Sequence, residues 1–170
     1  DASLEAQLML DQWVYQPGLP SNAVEPHAES FGRVAAAVAA FNAGGPAQVV
    51  PWAGWGTFER QRFLETVGAT LPVTRLADLD GAFHLSALGN DDVLFDWLKL
   101  CVRSHYEACA PSLDRFLRSQ GRLRYVTPLY RGLMTQGDWG QDLARRIYAV
   151  ARATYHPVAQ AALDRVVTPG

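Results

Sequence analysis

The chain has 170 residues, of which 49% are hydrophobic and 11% aromatic, and its formal net charge is −2. That length suits one domain with a sizeable core, and the composition excludes global disorder. Charged residues make up only 19%, so the surface is either unusually apolar or partly covered by something outside the chain. The slightly acidic balance argues against a nucleic-acid footprint.

Leu4, Leu8 and Met9 share one helical face, which predicts a single helix over residues 3–15. Residues 16–26 carry three prolines and a glycine, which forbid helix continuation and read as an extended connector. Phe31, Val34, Val38 and Phe41 predict an amphipathic helix over 29–43, ended by Gly44-Gly45-Pro46. After a Trp/Gly/Pro loop, Thr57 reads as the N-cap of a helix with Phe63, Leu64 and Val67 inward, ended by Leu71-Pro72. Leu76, Leu79 and Phe83 predict a short helix over 74–86. Asn90 stands where an N-cap belongs. Asp91 and Asp92 suit the positive end of the helix dipole, and the period of Val93 to Val102 predicts a helix over 91–105. A helix with Leu113, Phe116 and Leu117 stops at Gly121.

Residues 122–126 read as extended, because Gly121 ends a helix and Thr127, preceding Pro128, is biased away from helix. In such a run Arg122 and Arg124 point the same way, and two forked guanidiniums suit a carboxylate. The residues alone leave open whether the pair binds one or is simply solvated. Pro128 reads as opening a helix to about residue 136. Gly137 then breaks the chain, Asp138 starts a helix to about residue 155, and Pro157 is N1 of a final helix. No strand alternation is visible. The reading is an all-α fold of eight to nine helices, either a layered α-α superhelix or an irregular bundle.

Cys101 and Cys109 would lie about 12 Å apart on a single helix, too far for a disulfide. They read as reduced core thiols in a reducing compartment, hence a cytoplasmic expectation. If the helix breaks between them, a bridge is conceivable. No run of 18 apolar residues is present to span a membrane. The chain begins at Asp1 without a signal pattern, which reads as a cut from something longer. It contains no HExxH, P-loop, GxGxxG or GxSxG. His27, His84, His105 and His156 are widely spaced and read as surface or internally satisfied side chains. Asp78 and Asp80 read as solvated. Trp13, Tyr15, Trp52 and Trp55 read as core or domain-contact residues rather than a ligand pocket, and Trp97 as core. The low charge and the segments 13–20 and 51–55 together predict an exposed apolar patch flanked by those segments.

Four ordered stretches carry a resemblance: WVYQPGLP (13–20), FHLSALGNDDVLFDWLKLCVRS (83–104), SQGRLRYVTPLYRGL (119–133) and ATYHPVAQAAL (153–163). Together they resemble the C-terminal helical domain of leukotriene A(4) hydrolase-type zinc aminopeptidases, including their bacterial relatives. The resemblance implies a two-layer antiparallel α-α superhelix, degenerate and armadillo- or HEAT-like. It implies that residues 1–16 are the last helix of a preceding catalytic domain, 17–26 a connector and 27–170 the C-terminal domain. Zinc and catalytic residues would lie in that preceding domain, so this chain would hold no metal or catalytic residue and be inactive alone. The chain's partners would be the other domains of the same parent, with peptides as substrate and neither nucleic acid nor membrane. By motif, Arg122 and Arg124 map to a basic pair that binds the substrate carboxylate on the wall of a peptide channel. The second position is Arg where the best-known member has Lys, which keeps charge but not reach or hydrogen-bond geometry. The competing expectation is a stand-alone helical scaffold that binds another protein in a groove; an RNA-binding helical repeat is disfavoured by the charge.

Overall fold

In the computed structural model, which describes residues 2–23 and 28–168, the start of the chain forms two helices rather than one. These are α1 (Ala2–Leu8) and α2 (Leu10–Tyr15). Met9 interrupts them in the left-handed region at φ 52°, which hydropathy spacing does not register. Asn22 ties the following loop back: its Nδ2 donates to the Leu8 carbonyl at 3.2 Å and its Oδ1 accepts from Trp13 Nε1 at 3.1 Å. Leu8, Trp13, Val14, Tyr15 and Leu19 are exposed. The last part of the expected connector, residues 24–26, and His27 after it lie outside the described residues. Contacts divide the chain into two units, one ending at Gly32 and the other beginning at Arg33.

α3 (Ala28–Asn42) crosses that division. In the second unit it buries Val34, Ala37 and Phe41, whereas Phe31 is exposed. Arg75 caps its far end: Nη2 donates to the carbonyls of Phe41 and Gly45, both at 2.7 Å, and the guanidinium lies 3.5 Å from the Phe41 ring centroid. Two short 3-10 turns then carry Trp52 and Trp55 inward.

The remaining helices are α4 (Thr57–Thr66), α5 (Val73–Phe83), α6 (Asp91–Arg103), α7 (Ala110–Ser119), α8 (Leu123–Met134), α9 (Gly137–Ala151) and α10 (Pro157–Val167). Ten α-helices and no strand occupy the described residues. Thr57 is the first helical residue of α4 rather than its cap. Gly56 holds the cap position, and its N–H donates to Glu59 Oε2 at 3.1 Å. Asn90 caps α6 as the sequence indicates, its Oδ1 accepting from Asp92 and Val93 N–H at 3.1 and 3.2 Å.

Packing follows alternation along the chain. α4 packs on α6, α6 on α8 and α8 on α10, while α7 packs on α9. Alternate helices therefore form separate layers of an α-α superhelix. α9 also crosses α8 closely at Gly140, where a Cβ would collide with the Leu133 carbonyl. Trp97, Leu98, Leu113, Leu117, Tyr130 and Leu133 fill the space between layers and are fully buried.

α6 ends at Arg103 and the chain doubles back. Tyr106 N–H bonds the Cys101 carbonyl at 2.9 Å, and Cys109 N–H bonds the Tyr106 carbonyl at 3.2 Å. Both cysteines are free and buried. Burial first, then a hydrogen bond with Cys109, pushes the Cys101 thiol well above its ordinary range.

Candidate carboxylate site at the start of helix α8

The expected extended run at 122–126 is not extended. Helix α8 starts at Leu123, with Arg122 as its N-cap at φ −75°, ψ 123°, and Pro128 lies inside the helix rather than at its first position. The reason is packing. Tyr125, Val126, Leu129, Tyr130 and Leu133 recur on one helical face and all are buried. Burying side chains of this size contributes about 1.5–3 kcal/mol each, which outweighs the bias of Thr127 and the cost of an interior proline. Tyr125 and Val126 N–H both donate to the Arg122 carbonyl, at 2.9 and 3.1 Å. The argument from side chains two apart on an extended strand therefore does not apply to Arg122 and Arg124. They come together instead as the cap and first turn of one helix.

Their surroundings differ. Arg124 Nη2 donates to Asp92 Oδ1 on the first turn of α6, and its guanidinium lies 4.6 Å from the Tyr125 ring centroid. Tyr125 Oη donates to the same Asp92 oxygen at 2.8 Å. That hydrogen bond, with burial, raises the Tyr125 phenol above its ordinary range and keeps it a donor. The Tyr125 ring is fixed between Phe95 and Phe116, with centroids 5.2 and 5.7 Å away. Neighbouring Asp91 accepts from Gln120 Nε2 at 2.7 Å. Arg122 is exposed, and its side chain makes no hydrogen bond or ion pair among the described residues. The N–H groups of Leu123 and Arg124 open the helix beside it, and no side chain caps them. The result is a solvent-facing cationic helix start with one uncommitted guanidinium, suited to a carboxylate.

Other candidates resolve differently. Trp52, Trp55 and Trp97 are core residues. Trp52 stacks on Phe83 at 5.2 Å and borders an open groove of 630 Å³ with Val50, Pro51 and His84. In segment 51–55 only Trp52 and Trp55 turn inward, while Pro51, Ala53 and Gly54 are exposed, with exposed Val49 and Phe58 on either side. In segment 13–20, Trp13, Tyr15 and Leu19 are exposed. Asp78 and Asp80 are not merely solvated. Asp78 accepts from Ala47 N–H at 2.8 Å, and Asp80 accepts from Ser86 N–H and Oγ at 2.8 and 2.7 Å. His156 Nδ1 accepts from Val158 N–H at the start of α10, and the His105 ring lies tilted against Trp139, with centroids 4.3 Å apart. Sequence reasoning missed the carboxylate role of Asp92, whose partner lies 32 residues on. It also missed buried Asp96, satisfied by Gln61 and Lys99 at 2.8 and 2.7 Å. Among the described residues no three His, Cys, Asp or Glu side chains gather to hold a metal ion.

A family model described as leukotriene A4 hydrolase, C-terminal, matches residues 55–167. The chain is 28% identical over 90 residues to the leukotriene A-4 hydrolase of Xenopus laevis, covering 53% of this chain and 15% of that protein. It is 22% identical over 118 residues to mouse aminopeptidase B, covering 68% and 18%. Against leucine aminopeptidase 2 of Kluyveromyces lactis it is 34% identical over 74 residues, covering 44% and 11%. It thus spans less than a fifth of these relatives. Among solved structures, yeast LTA4 hydrolase in complex with bestatin aligns over 98% of this chain and 31% of that one, at TM-score 0.62 and 18% identity, a likeness of fold. With the family model covering more than half of it, the chain belongs to the leukotriene A4 hydrolase C-terminal family.

Proposed function

We propose that this chain is the C-terminal accessory domain of a zinc aminopeptidase, and that it forms one wall of the peptide channel. Residues 1–16 end the preceding catalytic domain, 17–26 connect, and 27–170 form the accessory domain. The zinc and the hydrolytic residues belong to the catalytic domain outside this chain, so the chain by itself carries no turnover. The substrate's terminal carboxylate docks at the helix start that carries Arg122 and Arg124. The observation that supports this reading is the unpaired, exposed Arg122 guanidinium at an uncapped helix start. A carboxylate there accepts charge-assisted hydrogen bonds, worth about 1.5–3 kcal/mol when fully formed.

In the complete aminopeptidase, Arg122→Ala is expected to lower kcat/KM for trialanine by about 10- to 150-fold. It should spare an aminoacyl anilide, which has no free carboxylate. Steady-state kinetics on the two substrates decide it, and an unchanged trialanine-to-anilide ratio would refute the carboxylate role.

A further inference from the structure

The two arginines look equivalent in sequence, but their surroundings make them unequal. Arg124 is spent on Asp92, which also takes the Tyr125 hydroxyl on the same oxygen. Arg122 has no such partner. We infer that Asp92 is a specificity-setting positioning residue: it neutralises and holds Arg124, leaving Arg122 as the single cation that meets a peptide carboxylate. This rests on the carboxylate reading and refines it.

Asp92 suits this role because it is anchored from several sides. It lies on the first turn of α6, directly after the Asn90 cap that fixes the backbone there. Tyr125, wedged between Phe95 and Phe116, donates to it from the opposite helix. The α6 and α8 starts are thereby joined through one carboxylate, and the Arg124 guanidinium is drawn toward α6 over the Tyr125 ring. With Arg124 paired to Asp92, and the Asp91 carboxylate turned to the Gln120 amide, the site presents one guanidinium without a partner, that of Arg122. The substrate class is thus a peptide with a single terminal carboxylate, and a second acidic group beside it gains nothing from Arg124.

The test uses the complete enzyme with trialanine and trialanine amide, and reads the ratio of their kcat/KM values, which a general folding defect does not move. Arg124→Ala should change the ratio by less than about threefold, the range of exposed ion pairs. Asp92→Asn keeps the shape and releases Arg124. It should raise the ratio by about 3- to 10-fold through a lower KM for trialanine. The gain should vanish in the double variant Asp92→Asn with Arg124→Ala. An Arg124→Ala loss as large as that of Arg122→Ala would overturn the assignment, as would an Asp92→Asn ratio equal to the wild-type one. Failure of the carboxylate reading itself would register separately, as an Arg122→Ala enzyme with the wild-type ratio.

Discussion

Arg152 holds Asp164 through two parallel hydrogen bonds, Nε to Oδ1 and Nη2 to Oδ2, each 2.8 Å, and Tyr148 Oη adds a third at 2.7 Å. The Arg152 bonds, then the Tyr148 bond, lower the Asp164 carboxyl to about 2. Burial, then the Asp164 bond, pushes the Tyr148 phenol up to about 12. A depressed carboxyl contributes stability that is complete above its unfolded value of about 4, and is lost as pH falls through the folded value. A raised phenol contributes stability that is complete below about pH 10 and is lost as pH rises through its folded value. The cluster linking α9 to α10 should therefore weaken at both extremes. Urea midpoints should fall between pH 4 and pH 2 in the wild-type chain and fall less steeply in Asp164→Asn; parallel pH profiles would remove the cluster from the account. None of these three residues was singled out in the sequence, because Asp164 lies 12 residues from Arg152 and 16 from Tyr148. Asn90, by contrast, was legible, since a cap acts within three residues.

Helices were legible where apolar period and cap agreed, as in α6, and misread where a proline contradicted the period. Around α8, the proline rule set the expected boundary at residue 128, while the buried face of Tyr125, Val126, Leu129, Tyr130 and Leu133 sets the observed one at Leu123. Pro128 is exposed, and lacking an N–H it removes one bond from the helix ladder. A mid-helix proline costs about 3 kcal/mol relative to alanine, offset by about 0.4–1 kcal/mol of restriction it imposes on the unfolded chain. Since the α8 backbone has already adapted to it, Pro128→Ala should stabilise the chain by about 1–2 kcal/mol. Chemical denaturation measures this, and a destabilised variant would mean that the ring itself packs usefully. The left-handed Met9 between α1 and α2 left no comparable trace, because a backbone dihedral at a methionine leaves no mark on hydropathy.

At the scale of the whole molecule, the helical class and the order of the second unit's helices were readable, since burial repeats along every helix of α6 to α10. The division of labour between Arg122 and Arg124 was not, because it depends on which helix start faces which. The same long-range folding back makes the Cys101 and Cys109 thiols natural clocks for the opening of this domain. Both lie in the core with no solvent access, one at the end of α6 and the other just before α7. A thiol-specific aromatic disulfide reagent can reach them when those helices separate. Labelling should therefore be slow in native buffer and should involve both cysteines together. Its rate should rise with urea in step with the unfolding equilibrium. Rapid modification of either thiol without denaturant would mean that the α6–α7 junction opens on its own, apart from the rest of the superhelix.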